Sequence, residues 1–242
     1  MLLPLSTAVA DRLELLDEAG STNAVLAERA RAGSARELDV VVTTSQTAGK
    51  GRLGRTWVAP PGKTIAVSVL LAPAADRLPW VPLVAGLAMA RAVRSLVTGH
   101  EVTLKWPNDV HVDGLKVSGL LAELVPGAGV VVGAGLNLTM DADELPTPVS
   151  TSLTLVGADA TDIVDRALAA YLGELRRAHA LAAEDARREV ERECSTIGRR
   201  VRVELPGGDD LYGTASGIDG AGRLVVDGRA VAAGDVTHLR YE

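Results

Sequence analysis

The sequence predicts an α+β fold, a mixed β-sheet with packed helices followed by a small C-terminal β-barrel. Three observations predict it. Within the first 140 residues, strand-length apolar runs are punctuated by turns rich in glycine, asparagine and aspartate. Stretches of helical period lie between and after those runs. Beyond about Thr196 the texture changes to short β segments with closely spaced turns. The expected boundary falls near Ser195, giving one domain over residues 1–195 and a second over 196–242.

Taken in order, Ser21, Thr22 and Asn23 precede a helical stretch through Ala32 that Gly33 can stop, so these polar side chains belong at a helix N-terminus. Leu38 to Thr44 and Thr64 to Leu71 read as strands separated by a loop. Pro82 to Val97 is apolar except for Arg91 and Arg94, one turn apart, which predicts a mostly buried helix covering a sheet face. Glu101 to Trp106, Lys116 to Leu124 and Val130 to Leu138 are short apolar runs whose close turns predict antiparallel neighbours. Met140 to Thr151 is acidic, holds two prolines and has no period, so a mobile loop is expected. Val164, Leu168, Tyr171, Leu172 and Leu175 fall on one face of a helix that Asp162 would cap. A charged helix follows over Glu184 to Cys194. The last strands are expected near Arg200 to Leu205, Leu211 to Ile218, Arg223 to Val226 and Val236 to Leu239, with turns at Gly207-Gly208, Asp219-Gly220 and Asp227-Gly228.

Composition narrows function. At 242 residues, with 47% hydrophobic and 23% charged residues, the chain is long enough for a large core and is not a disordered polymer. Its 25 basic and 31 acidic residues give a net charge of −6, which argues against a nucleic-acid binder acting through overall charge. One cysteine, Cys194, cannot form a disulfide framework or a Cys-based zinc site. Met1 to Ala10 lacks the pattern of a signal peptide, and no apolar run reaches the roughly 18 residues of a membrane span. A cytoplasmic protein with no membrane partner is expected. His100, His111, His179 and His238 show no metal spacing and are expected to pack or lie on the surface.

Rare residues carry the chemical signal. Asn23, Asn108, Asn137, Gln46, Lys50, Lys63, Lys105 and Lys116 are all of the chain's Asn, Gln and Lys, and all precede residue 140. Most sit in three polar, glycine-rich segments. Gln46-Thr47-Ala48-Gly49-Lys50-Gly51-Arg52-Leu53-Gly54-Arg55-Thr56-Trp57 combines three glycines with three cations, so backbone and charge can both approach an anion. Such a loop is expected to become ordered when a ligand fills it. Lys105-Trp106-Pro107-Asn108-Asp109 is followed by Lys116-Val117-Ser118-Gly119, where a lysine beside an open backbone can enter a cleft. Gly133-Ala134-Gly135-Leu136-Asn137 ends an apolar strand with an amide. Two decoys fail: Trp57 stands where a P-loop before Gly62-Lys63-Thr64 needs glycine, and Leu138 stands where a dinucleotide fingerprint needs its third.

The ordered set Ser21-Thr22-Asn23, Gln46 to Trp57, Lys105 to Asp109, Lys116 to Gly119 and Gly135 to Asn137 resembles the biotin–protein ligases, and the likeness continues into the C-terminal β segment. The resemblance implies a biotinyl/lipoyl protein ligase catalytic domain, similar to class II aminoacyl-tRNA synthetases, plus an SH3-like barrel. The resemblance implies the monofunctional type, for which no N-terminal DNA-binding domain and no nucleic-acid partner are expected. The implied reaction is ATP-dependent and AMP-forming: biotin becomes biotinyl-5′-AMP, then passes to a lysine of a biotin carboxyl carrier domain of an acyl-CoA carboxylase.

Lys116 and Arg52 are the implied catalytic cations. Biotin is implied to meet Ser21, Thr22, Asn23, Gln46, Gly49, Lys50, Gly51, Arg52, Trp57, Lys116 and Gly119. ATP or the adenylate would meet Arg52, Arg55, Lys63, Asn108, Lys116 and Asn137, with Arg55, Lys63 and Mg²⁺ at the pyrophosphate and Asn137 at the adenine. The metal's protein ligands stay open, as does the role of Asp109. Lys50 departs from the family's usual arginine, keeping the charge and losing the planar fork. The alternatives are a lipoate–protein ligase of the same fold and a non-enzymatic biotin-responsive regulator.

Overall fold

Residues 1–205, 208–232 and 234–239 of a computed structural model are described here. The first part contains α1 (Pro4–Val9), β1 (Arg12–Leu16), α2 (Thr22–Arg31), β2 (Asp39–Thr43), β3 (Gly49–Lys50), β4 (Thr56–Trp57), β5 (Thr64–Leu71) and α3 (Val81–Leu96). It continues with β6 (Val102–Lys105), β7 (Asp109–Val112), β8 (Leu115–Val125), β9 (Gly129–Asn137), α4 (Ile163–Ala180) and α5 (Ala183–Glu193). The last strands are β10 (Arg200–Glu204), β11 (Asp210–Ile218), β12 (Leu224–Val226), β13 (Arg229–Val231) and β14 (Asp235–His238).

Seven strands form one mixed sheet in the order β1-β2-β5-β9-β8-β7-β6, with β1 parallel to β2 and every other pair antiparallel. Strand periodicity assigns the faces. Val40, Val42, Ile65, Val67, Val69, Val132, Ala134 and Leu136 point into the main core with α3 and α4. Val41, Leu70 and Val131 point to the other face, where Leu26, Ala27 and Ala30 of α2 cover them. The polar and glycine-rich segments singled out in the sequence gather on this second face, at the N-terminal end of α2.

The C-terminal strands form a separate antiparallel sheet in the order β13-β12-β11-β10-β14. This five-stranded antiparallel sheet is compatible with the expected SH3-like module; among the described residues its edge strands do not pair with each other. Two tryptophans of the first part fasten its 219–222 turn: Trp80 Nε1 donates to Gly220 O at 2.9 Å and Trp106 Nε1 to Gly222 O at 3.1 Å.

The strand over 64–71 and the three buried helices fall where the sequence places them. Six elements are added: α1, β1, β3, β4, β7 and β13, so the loop expected between the strands at 38–44 and 64–71 contains a short hairpin. Asp162 does not cap α4, because its backbone is left-handed (φ 47°) and its side chain makes no cap hydrogen bond. The 140–151 segment is irregular, yet its end is tied to β8: Lys116 N donates to Val149 O and Thr151 N to Lys116 O, each at 2.8 Å. Gly207 of the expected Gly207-Gly208 turn lies outside the described residues.

Where the two sheets meet, His111 and His238 are both held down to about 4, chiefly by burial and next by the nearby Lys105 ammonium. Folded imidazoles therefore stay neutral where unfolded ones, titrating near 6.5, take up protons. Their stabilisation is complete above about pH 6.5 and is lost as pH falls from there towards 4. Urea midpoints are expected to fall between pH 7.5 and 5, and the double variant H111N/H238N to show a flatter profile. An equally steep profile in the double variant would contradict this assignment.

Candidate active site

The floor of the site is a patch of sheet stripped of side chains. In Val131-Val132-Gly133-Ala134-Gly135 the glycines occupy alternate positions, so both fall on the α2 side while Val132 and Ala134 remain in the core. Cross-strand register sets Ser68 and Leu121 opposite Gly133, and Ala66 and Gly119 opposite Gly135. A Cβ at Gly133 would stand 2.2 Å from Asn23 Oδ1, and one at Gly135 would stand 2.4 Å from Trp57 Cε2. The glycines thus let α2 and the Trp57 indole rest on bare backbone.

The polar end comes from α2. Ser21 is its N-cap, accepting from Ala24 N at 3.4 Å, and this places Thr22 and Asn23 in the first turn with both side chains buried. Gln46 Oε1 accepts from Thr22 N at 3.0 Å, joining the start of the glycine-rich segment to the helix.

That segment folds into a tight hairpin of β3 and β4, closed by a bond of 2.7 Å from Gly51 N to Arg55 O. Leu53 and Gly54 turn the chain at φ 55° and 76°. Lys50, Arg52 and Arg55 are thereby gathered at the mouth. Arg52 Nη1 donates to Asn108 Oδ1 and to Gly234 O, each at 3.4 Å. Burial pushes the Arg52 guanidinium below its usual range, opposed by Asp109 and Asp235. Arg55 reaches the C-terminal sheet at Asp235 Oδ2, 2.6 Å away, and that hydrogen bond raises its pKa.

Lys116 enters from β8, its Nζ 2.7 Å from Asp109 Oδ1. A Cβ at Gly119 would lie 3.1 Å from that Nζ, so the glycine gives the ammonium its place. Asn108 Nδ2 donates to Leu120 O at 2.6 Å, which fixes the turn carrying Asp109. Asp109 therefore orients the lysine.

The resulting cleft opens to solvent at its mouth. It is lined by Ser21, Thr22, Asn23, Gln46, Lys50, Gly51, Arg52, Arg55, Trp57, Asn108, Lys116 and Gly119, which the sequence had nominated. Gly49 lies on its flank, where a Cβ would meet Trp57 O at 2.5 Å. Two nominated residues stand apart from the lining. Lys63 is paired with Glu144 at 3.0 Å and Asp141 at 3.6 Å, and the Glu144 hydrogen bond raises its pKa. Asn137 donates Nδ2 to Thr151 O at 2.9 Å, and its buried Oδ1 has no partner among the described residues. Sequence reasoning missed Ser68, Glu123 and Asp235. Ser68 and Glu123 carry a signal, being polar residues inside apolar strands.

A glycine-floored cleft with a polar inner end and clustered cations at its mouth suits a small carboxylic acid whose acyl group is activated beside an anionic nucleotide. Comparison with known proteins gives this class a family. Residues 17–137 match the model of the biotin/lipoate A/B protein ligase family, and residues 196–239 match that of the biotin protein ligase C-terminal domain. The chain is 41% identical to the biotin–[acetyl-CoA-carboxylase] ligase of Mycobacterium tuberculosis over 95% of its own length and 90% of the relative's. It is 31% identical to the bifunctional ligase/repressor BirA of Escherichia coli over 86% of this chain, spanning 66% of that protein. The structure of the Aquifex aeolicus biotin protein ligase in complex with biotin and ATP superposes with a TM-score of 0.74 at 26% identity, covering 96% of this chain and all of that one. The chain belongs to the biotin/lipoate A/B protein ligase family, and the relatives from Mycobacterium tuberculosis and Aquifex aeolicus are named as biotin ligases.

Proposed function

We propose that the protein is a biotin–protein ligase that makes biotinyl-5′-AMP from biotin and ATP and then biotinylates a carrier-domain lysine. The observation that carries this reading is the convergence of Lys116 and Arg52 on a cleft whose inner end is ringed by Ser21, Thr22 and Gln46. In the first step a biotin carboxylate oxygen bonds to the α-phosphorus and the bond to the β-phosphate oxygen breaks, releasing pyrophosphate. Two anions must meet, so fixed cations supply more than a protein nucleophile would. Lys116, aimed by Asp109, and Arg52, aimed by Asn108, provide that charge. In the second step the carrier lysine's amine attacks the acyl carbon, forming the amide and releasing AMP.

Lys50, Gly49 and Gly51 are assigned to biotin's tail and carboxylate, with Trp57 and Gly119 walling the middle of the cleft. Asn23 lines the ring end, with its amide engaged by Glu123, Leu121 and Ser68. Asn137 offers its free Oδ1 to the adenine amino group. Arg55, which lines the cleft, is assigned to the pyrophosphate, whereas Lys63, paired with Glu144, stands outside the lining. Among the described residues no three His, Cys, Asp or Glu form a cation cluster, and the carboxylates nearest the mouth, Asp109 and Asp235, already hold Lys116 and Arg55. Mg²⁺ is therefore assigned to the nucleotide's own phosphates, where it neutralises charge.

No helix among the described residues is long and apolar enough to cross a membrane, and we place the reaction in the cytoplasm, where carboxylases and ATP are met. A lipoate ligase would need a less polar inner end, since a dithiolane neither donates nor accepts the bonds that Thr22 and Gln46 offer. The test is incubation with ATP, Mg²⁺, biotin and the isolated carrier domain of a biotin-dependent carboxylase, followed by intact-mass measurement. Biotin on the acceptor lysine supports the reading. An unmodified carrier, or one that gains lipoate when both acids are supplied, overturns it.

A further inference from the structure

Beneath the polar end of the cleft lies a chain of buried hydrogen bonds running from β8 to Thr22. Asn23 Nδ2 donates to Glu123 Oε2 at 2.6 Å and to Leu121 O at 3.2 Å. Ser68 Oγ lies 2.6 Å from Asn23 Oδ1 and 2.8 Å from Thr22 Oγ1. Ser68 is fully buried, Asn23 is 4% exposed and Thr22 3%.

The polarity of this chain is determined. A carboxylate and a backbone carbonyl can only accept, so the amide nitrogen of Asn23 must face Glu123 and Leu121 and its oxygen must face Ser68. An amide oxygen can only accept, so the single hydroxyl hydrogen of Ser68 goes to Asn23. Ser68 then has only lone pairs left for Thr22, whose hydroxyl must donate to it. The 2.8 Å bond to Ser68 takes that hydrogen in preference to the 3.3 Å contact with Gln46 Oε1. What Thr22 Oγ1 keeps for the cleft is a lone pair.

We propose that Glu123, Asn23 and Ser68 are positioning residues that set Thr22 as a hydrogen-bond acceptor, and so select a ring bearing N–H donors at the inner end of the cleft. This rests on the biotin reading above, and gives it a source of selectivity: a ureido ring presents N–H groups, whereas a dithiolane presents none. Gly133 is part of the device, since any side chain there would displace the Asn23 amide. Both ends of the Asn23 amide are engaged within the network, so its role is exercised through Thr22. Buried networks with one allowed polarity are how sites reject ligands that leave a group unpaired.

The test is calorimetric binding of biotin and of desthiobiotin, which keeps the ureido ring and lacks the sulfur ring, to the parent, Ser68→Ala, Glu123→Ala and Glu123→Gln. Ser68→Ala is expected to weaken both ligands about 10-fold, the size of one lost bond to a buried polar group. Glu123→Ala should weaken both several-fold, and Glu123→Gln, whose amide oxygen still accepts from Asn23, should recover most of that loss. Loss confined to biotin, failure of Glu123→Gln to recover binding, or binding within twofold of the parent in folded Ser68→Ala and Glu123→Ala would overturn the proposal. Should Ser68→Ala not fold, the half-buried Glu123 pair decides alone. A parent that binds neither ligand refutes the biotin reading instead, so the two failures are distinguishable.

Discussion

Lys116→Ala is expected to lower the rate of adenylate formation by about 10²–10³-fold, the effect of removing one preorganised charge from a developing anion. The ammonium is held at 2.7 Å by Asp109 over a glycine that clears its path, so it is aligned before substrate arrives. Preorganisation of this kind acts on the transition state more than on binding, and the loss should appear in kcat with little change in KM for biotin. The pair is partly solvated, with side-chain exposures of 34% and 21%, so the melting temperature should move little. Pyrophosphate release in a single turnover measures the effect. A variant matching the parent rate would remove Lys116 from the chemistry.

Trp106→Ala is expected to destabilise the fold by about 3–5 kcal/mol, the range for deleting a large buried aromatic. Trp106 is 2% exposed in the main core, and its indole N–H is one of two that hold the C-terminal turn. Its backbone N–H donates to Thr196 Oγ1 at 3.1 Å, so the residue joins β6 to the start of the second sheet. Trp106→Phe keeps much of the packing but orphans Gly222 O, and should cost about 1–3 kcal/mol. Urea unfolding of the three proteins gives these differences directly. Equal midpoints for Ala and parent would mean that the two sheets do not depend on this side chain.

The parts of the fold legible in the sequence are those where one local signal suffices. Thr64 to Leu71 is a mostly apolar run, half of it β-branched, between turn residues, and it is a strand to the residue. The Asp227-Gly228 turn is read from its dipeptide, and both residues do adopt positive φ, at 45° and 80°. What escaped notice depends on distant pairing. β1 is a five-residue parallel edge strand, ordered by its register with β2 rather than by its own pattern. β7 and β13, of four and three residues, become strands only because a neighbour pairs with them.

The site divides the same way. Gln46, Arg52, Lys116 and the glycines announce themselves as rare or clustered residues and line one cleft. Their orienting partners do not, because each is contributed from far along the chain: Glu123 lies 100 residues from Asn23 and Asp235 lies 180 from Arg55. The strand register, which sets Ser68 opposite Gly133 and Leu121 opposite it on the other side, brings Ser68 and Glu123 beside Asn23, whereas Asp235 arrives from the separate C-terminal sheet.

The most direct test of the account is mass spectrometry of the purified protein after incubation with ATP, Mg²⁺ and either biotin or lipoate. The account predicts biotinyl-5′-AMP, with pyrophosphate released, from the biotin sample and no acyl-adenylate from the lipoate sample. An acyl-adenylate from the lipoate sample, or none from the biotin sample, would contradict it.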